Sequence, residues 1–320
     1  MSTPTGPASG LPVRMPRPRQ SGRHRKPEPL AAPEGAPALV LAVPGPPDAA
    51  SRSLAEEVTS IARSELPGLN ARIGYLDGDD EEFPSLAAVL VDAAEDRAAR
   101  AERAAPAPED GAEGEPSAAE TAVAAPTGPD AVVVPLLAGP DIAHMRRIRQ
   151  AVTDSRTSAE LTDALGPHPL LAEALHVRLS EAGLARAGRA WLFTVATAAD
   201  GIILVTVGGE DAVQAAGITG MLLAARLAVP VLAAALDMEG SVTKAAGQLR
   251  DSGSEQLALA PYLIGPEVAD GLLEAAATEA GCASGETLGA YPAIGKLVLS
   301  KYATVLGIAP RQPAQGSPIH

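Results

Sequence analysis

Val134-Pro135-Leu136-Leu137-Ala138-Gly139-Pro140-Asp141-Ile142 recurs as Ala260-Pro261-Tyr262-Leu263-Ile264-Gly265-Pro266-Glu267-Val268, 126 positions further on. An apolar run that ends in Gly-Pro and an acid reads as a strand, a turn and a helix start. Three more pairs follow in the same order. Leu165-Gly166-Pro167-His168-Pro169 matches Leu288-Gly289-Ala290-Tyr291-Pro292 at a spacing of 123. Leu76-Asp77 matches Leu236-Asp237 at 160, and Val43-Pro44-Gly45 matches Val207-Gly208-Gly209 at 164. The spacing shifts by 34 between the second and third strands of the unit, the size of a biased segment over residues 95–130. The sequence thus reads as one unit written twice, with an insertion in the first copy.

Within each copy, apolar β-branched runs alternate with segments of helical period. The runs are Leu39–Val43, Arg72–Leu76, Val132–Leu137, Ile202–Val207, Val229–Leu236 and Leu257–Ile264. Leu54, Val58, Ile61 and Leu66 mark one apolar helix face, and Leu171, Leu175, Leu179 and Ala182 another. Continuous apolar strands between amphipathic helices predict parallel sheets covered on both faces. The expected architecture is α/β: two similar three-layer halves facing a central cleft. The expected bounds are 1–37 for a basic Pro-rich tail, 38–183 and 184–308 for the halves, and 309–320 for a second tail.

Composition narrows the function. The 320 residues are 46% hydrophobic but only 2% aromatic, so the core must be aliphatic. Cys282 is the sole cysteine, which excludes a disulfide scaffold, a zinc ribbon and an iron–sulfur cluster. The net charge of −14 makes nucleic-acid binding an unfavourable reading, since phosphate neutralisation needs clustered Lys and Arg. That charge is uneven: residues 1–37 carry +4 and the rest −18. Neither a signal peptide nor an uninterrupted membrane-spanning run of about 20 apolar residues occurs, so a soluble cytoplasmic protein is expected. No GxGxxG, P-loop, GxSxG or HExxH motif is present.

Ligands of open parallel sheets bind past the carboxyl ends of the strands, which directs attention to the loops at Pro44–Asp48, Asp77–Glu82 and Gly139–His144 and to their copies. These loops resemble those of the sirohydrochlorin cobalt- or ferrochelatases, the small class II tetrapyrrole chelatases. The resemblance rests on Leu39–Gly45, on Gly74-Tyr75-Leu76-Asp77 with Phe83-Pro84-Ser85-Leu86, on Val133-Val134-Pro135-Leu136-Leu137, and on Leu165–Leu175. It implies insertion of a divalent metal (cobalt, nickel or iron) into a sirohydrochlorin-type tetrapyrrole, as in cobalamin or siroheme formation. The metal is then a substrate, and no organic cofactor is implied.

The sequence departs from that pattern at its histidines. Pro44 stands where the family has His before the loop glycine, and Ala143 aligns with the third-loop His, one place before His144. His144 and Asp77 are therefore the candidate catalytic residues and metal ligands, since imidazole near neutral pH can hold a metal or accept a proton. Arg146, Arg147 and Arg149 are candidates for substrate carboxylates, which guanidinium binds in bidentate fashion. Gly45, Gly208 and Gly209 would allow close approach of a ligand or of the other half.

Each feature has a plainer reading. His144 also fits the first turn of a helix begun at Pro140-Asp141, the Arg cluster fits an exposed face, and Asp77-Gly78-Asp79-Asp80-Glu81-Glu82 fits a solvated turn. His168 and His176 read as structural, and Cys282 as a buried thiol. The alternative to an active chelatase is a catalytically degenerate relative that binds a metal, a tetrapyrrole or a protein partner.

Overall fold

The computed structural model describes residues 31–104, 128–185, 198–269 and 271–308. The tails at 1–30 and 309–320 and the insert at 105–127 lie outside the described residues. Two four-stranded parallel sheets are built in the same way. The first half runs β1 (Ala38–Val43), α1 (Ala49–Glu65), β2 (Ala71–Tyr75), α2 (Leu86–Ala104), β3 (Ala131–Pro135), α3 (Ile142–Ser155), β4 (Ala159–Leu161) and α4 (Pro169–Glu181). The second runs β5 (Gly201–Thr206), α5 (Gly209–Leu227), β6 (Val231–Ala235), α6 (Ser241–Asp251), β7 (Leu257–Pro261), α7 (Leu272–Ala280), β8 (Ala283–Ser284) and α8 (Pro292–Val305). The strand orders are β2-β1-β3-β4 and β6-β5-β7-β8, so one topology occurs twice.

All six long strands were legible as apolar runs, and β1, β3, β5 and β7 are buried along their whole length. The edge strands β4 and β8 were not, because two or three residues carry no periodicity. Helix α2 continues to Ala104, through residues that composition assigned to the insert. Arg97, 4% exposed, explains part of this. Its guanidinium donates to the carbonyls of Gly128 and Pro129 and faces Asp130 at 3.6 Å, so the end of α2 ties down the chain's return into β3.

Strand registers correct one spacing. Leu39 pairs with Ala71 and Val132, and Ile202 pairs with Val231 and Ala258. Leu39 and Ile202 therefore hold the same rung, a spacing of 163, in keeping with 160 and 126 for the neighbouring strands. Gly45 is the counterpart of Gly208, not of Gly209.

The halves exchange helices. After β4 the chain crosses over, and α4 packs on α5 and β7 of the second sheet. After β8, α8 crosses back and packs on α1 and β3. A central core thus joins both sheets, including Leu41, Val134, Leu171, Leu204, Ile294 and Val298. Separate outer cores seal α2 and α3 against the first sheet and α6 and α7 against the second. The expected boundary at 183/184 follows the order of strands but not the packing.

Two tyrosines fasten the crossing. Tyr302 Oη on α8 donates to the Pro37 carbonyl at 2.7 Å, and Tyr262 Oη donates to the Ala138 carbonyl at 2.9 Å. Burial pushes both hydroxyls up to about 12, so they remain donors at any ordinary pH. Gly295 makes the α1–α8 seam tight: a Cβ there would lie 2.5 Å from Ile61 Cγ2 and 3.1 Å from the Val58 carbonyl oxygen. Gly295→Ala should cost about 1–3 kcal/mol by overpacking this seam, despite the better helix propensity of Ala. A lowered urea midpoint with an unchanged slope is the expected reading.

Candidate functional site

The loops at the carboxyl ends of the two sheets close on one another. Gly45, at φ +80°, lies against the backbone of Pro266 so closely that a Cβ would overlap its carbonyl. Its counterpart Gly208, at φ +110°, sits against Pro140 and Asp141, where a Cβ would be 3.2 Å from the Asp141 Cα. Each half thus inserts its first loop beside the third loop of the other. The close approach that Gly45 and Gly208 permit here is to the backbone of the other half. A Cβ added at Gly209 would meet nothing within 4 Å.

His144 is built into this junction. Its helix, α3, begins at Asp141, whose Oδ1 accepts the His144 backbone N–H at 3.0 Å. The other oxygen, Oδ2, accepts the ring Nδ1–H at 2.7 Å. One carboxylate, 5% exposed, therefore both caps the helix and fixes the imidazole. With Nδ1 carrying the proton, Nε2 keeps its lone pair for a metal or a proton. Burial opposes ionisation of Asp141, but the hydrogen bonds from the His144 ring and backbone outweigh it and hold the carboxyl below its usual range.

A second carboxylate comes from the other half. Glu267 holds the position equivalent to Asp141, and its oxygens accept the N–H groups of Ile264 at 2.5 Å and Gly265 at 2.8 Å. Burial pushes its carboxyl up; the backbone donors and the nearby His144 imidazole partly offset that. Sequence reasoning passed over Glu267, although the spacing of 126 that relates it to Asp141 was readable.

The other candidates fall differently. Asp77, 39% exposed, is engaged by the Arg147 guanidinium, which reaches both carboxylate oxygens. Asp77 therefore meets Arg147, whereas the carboxylate that meets His144 is Asp141. No group of three or more His, Cys, Asp and Glu in ligating arrangement occurs among the described residues. The copy of Asp77, Asp237, accepts from the N–H groups of Gly208 and Gly209 and so braces the second half's first loop.

Arg146 and Arg149 are exposed and their guanidiniums have no protein partner among the described residues, whereas Arg147 is spent on Asp77. Pro44 is buried, so no side chain reaches solvent from the family's first histidine position. His168 caps α4 by accepting the Leu170 N–H at 3.1 Å, a structural role. His176 accepts from Arg226 Nε at 3.0 Å, and Cys282 is half-buried rather than buried. No described helix is long and apolar enough to cross a membrane.

Two crossed-over α/β halves with parallel sheets and interlocked strand-end loops define a chelatase-like fold. Among solved structures, SirB from Bacillus subtilis with Fe3+ superposes with a TM-score of 0.52 at 12% identity, covering 84% of this chain and 95% of that one. A periplasmic ribose ABC transporter from Conexibacter woesei aligns over 73% of this chain and 66% of its own at 12% identity, but its TM-score of 0.28 is too low to inform the fold. No family model and no curated protein matches the sequence. The likeness to SirB is one of fold.

Asp141 contributes stability only while ionised. Because its folded pKa is lowered from 3.8, that contribution is full above pH 4 and is lost as the pH falls through the folded value. Asp141→Asn keeps a capping side chain and should flatten the loss of stability below about pH 4. Asp141→Ala should cost a further ~1 kcal/mol at neutral pH. Urea melts across an acid pH series read both effects.

Proposed function

We propose that this chain inserts a divalent metal, cobalt, nickel or iron, into a sirohydrochlorin-type tetrapyrrole, and that one chelatase-like unit is duplicated along it. The observation that carries the reading is the imidazole of His144, oriented by the buried Asp141 with Glu267 of the other half nearby, on a SirB-like fold. The metal is a substrate in transit, which suits a site with few protein ligands: water and then pyrrole nitrogens complete its coordination.

His144 Nε2 receives the metal. As the ion enters the macrocycle two pyrrole N–H protons must leave, and His144 and Glu267 are the basic groups at the junction. Glu267 suits proton acceptance because burial makes it a stronger base than an exposed carboxylate. Arg146 and Arg149 supply free guanidiniums for peripheral substrate carboxylates. Asp77 has a supporting part, holding Arg147 rather than the metal. The cytoplasm is the proposed location.

A degenerate relative that binds metal, tetrapyrrole or a protein partner without inserting metal is the second reading. The buried Pro44 favours it, because one imidazole of the family's pair is missing. Absorbance assays of cobalt insertion into sirohydrochlorin separate the two. The expected result is a rate above the spontaneous one that falls to background in His144→Ala and drops about 10²-fold or more in Glu267→Gln, with Asp77→Asn much milder. No acceleration by the unaltered protein would overturn insertion and leave binding.

A further inference from the structure

The two halves differ most where their second strands meet the following helix. In the first half ten residues separate β2 from α2, and Phe83 in that loop packs edge-on against Tyr75, with ring centroids 5.2 Å apart. Arg52 of α1 lies over the Phe83 ring at 5.7 Å and pairs with Glu82. In the second half only five residues separate β6 from α6. Strand registers place Ala233 where the first half has Ile73, and Ala235 where it has Tyr75. The Tyr75–Phe83 pair has no counterpart there, and an open groove of about 450 Å³ lies between α5 and α6 beside Ala233.

Its walls are polar and idle. Glu210 and Gln214 of α5, Glu239 of the short loop, and Lys244 and Gln248 of α6 all line it. All five are solvent-exposed, and none of their side chains makes a hydrogen bond or ion pair with protein among the described residues. Helix α6 also begins at Gly240 without a side-chain cap. In the first half, Arg52 of α1 and Glu82 of the longer loop satisfy each other. A volume of this size is ordinary for a small-molecule site.

We propose that this groove binds a small zwitterion, an amino-acid-like molecule with one carboxylate and one primary amine on a short carbon skeleton. Glu210 and Glu239 receive the ammonium. Lys244 and the uncapped first turn of α6 receive the carboxylate. The amides of Gln214 and Gln248 take the remaining polar atoms, while Val213 and Ala233 contact the carbon chain. This site is separate from the His144 junction, and its existence does not depend on metal insertion.

Equilibrium dialysis of the full chain against free α-amino acids, presented singly, tests the proposal. A simple primary amine and a simple monocarboxylate serve as comparisons. At least one amino acid should bind, and either comparison should bind at least tenfold more weakly. Lys244→Ala and Glu210→Gln, both at exposed positions, should each weaken binding about tenfold, the loss of one charge contact of about 1.4 kcal/mol. Ala233→Ile, which restores the first half's residue, should abolish it while His144-dependent metal insertion is unaltered. The proposal is overturned if no amino acid binds, if the amine alone binds as tightly, or if binding survives Lys244→Ala at full strength.

Discussion

The carbonyl of Pro266 occupies the space that a side chain on residue 45 would need, and Pro140 and Asp141 approach residue 208 closely but with more room. These two backbone contacts bring the carboxyl ends of both sheets together. Only glycine tolerates the combination of positive φ and so near a neighbour. The consequence is that Glu267, on the second half's third loop, is delivered close to His144 on the first half's third loop. Without that closure each half would present one carboxylate and the pair would not exist.

The helix exchange makes the closure rigid. Because α4 belongs by packing to the second sheet and α8 to the first, neither half has a complete core without the other. With few aromatics available, the central core is filled by Leu, Val, Ile and Ala, and three buried tyrosines supply bulk. Two of these, Tyr262 and Tyr302, also supply hydroxyl donors to carbonyls far away in the chain. A crossed-over core of this kind converts two modest sheets into one cooperative body and holds the junction loops in fixed register.

Much of the fold was legible because parallel strands buried on both faces leave continuous apolar runs, as at Val132–Leu137 and Leu257–Ile264. What failed was local and has physical reasons. β4 and β8 are too short to show a period. Residues 95–104 looked like linker from their Ala, Glu and Arg content, yet these are good helix formers, and Arg97 anchors them to Gly128 and Pro129. The spacing of 164 was one residue off because paired glycines look alike, while only hydrogen-bond register distinguishes Gly208 from Gly209. At the candidate site His144 was legible as a strand-end histidine. The Arg147 partner of Asp77 was not legible, because a loop carboxylate reveals nothing of what it meets across the fold.

By itself the sequence determined the repeated strand–helix pattern, the aliphatic character of the core, and the presence of acids at 141 and 267 just beyond two matching strands. Short-range spacing suffices for these, since hydrophobic periodicity and turn residues act over a few positions. Tertiary structure alone decided which helix covers which sheet, that Asp141 rather than Asp77 holds the imidazole, and that Glu267 lies near it. It also decided that the first half's plug of Phe83 against Tyr75 has no counterpart beside Ala233. Each of these depends on groups far apart in the chain meeting at a particular distance, and burial and charge act through distance rather than through order along the chain.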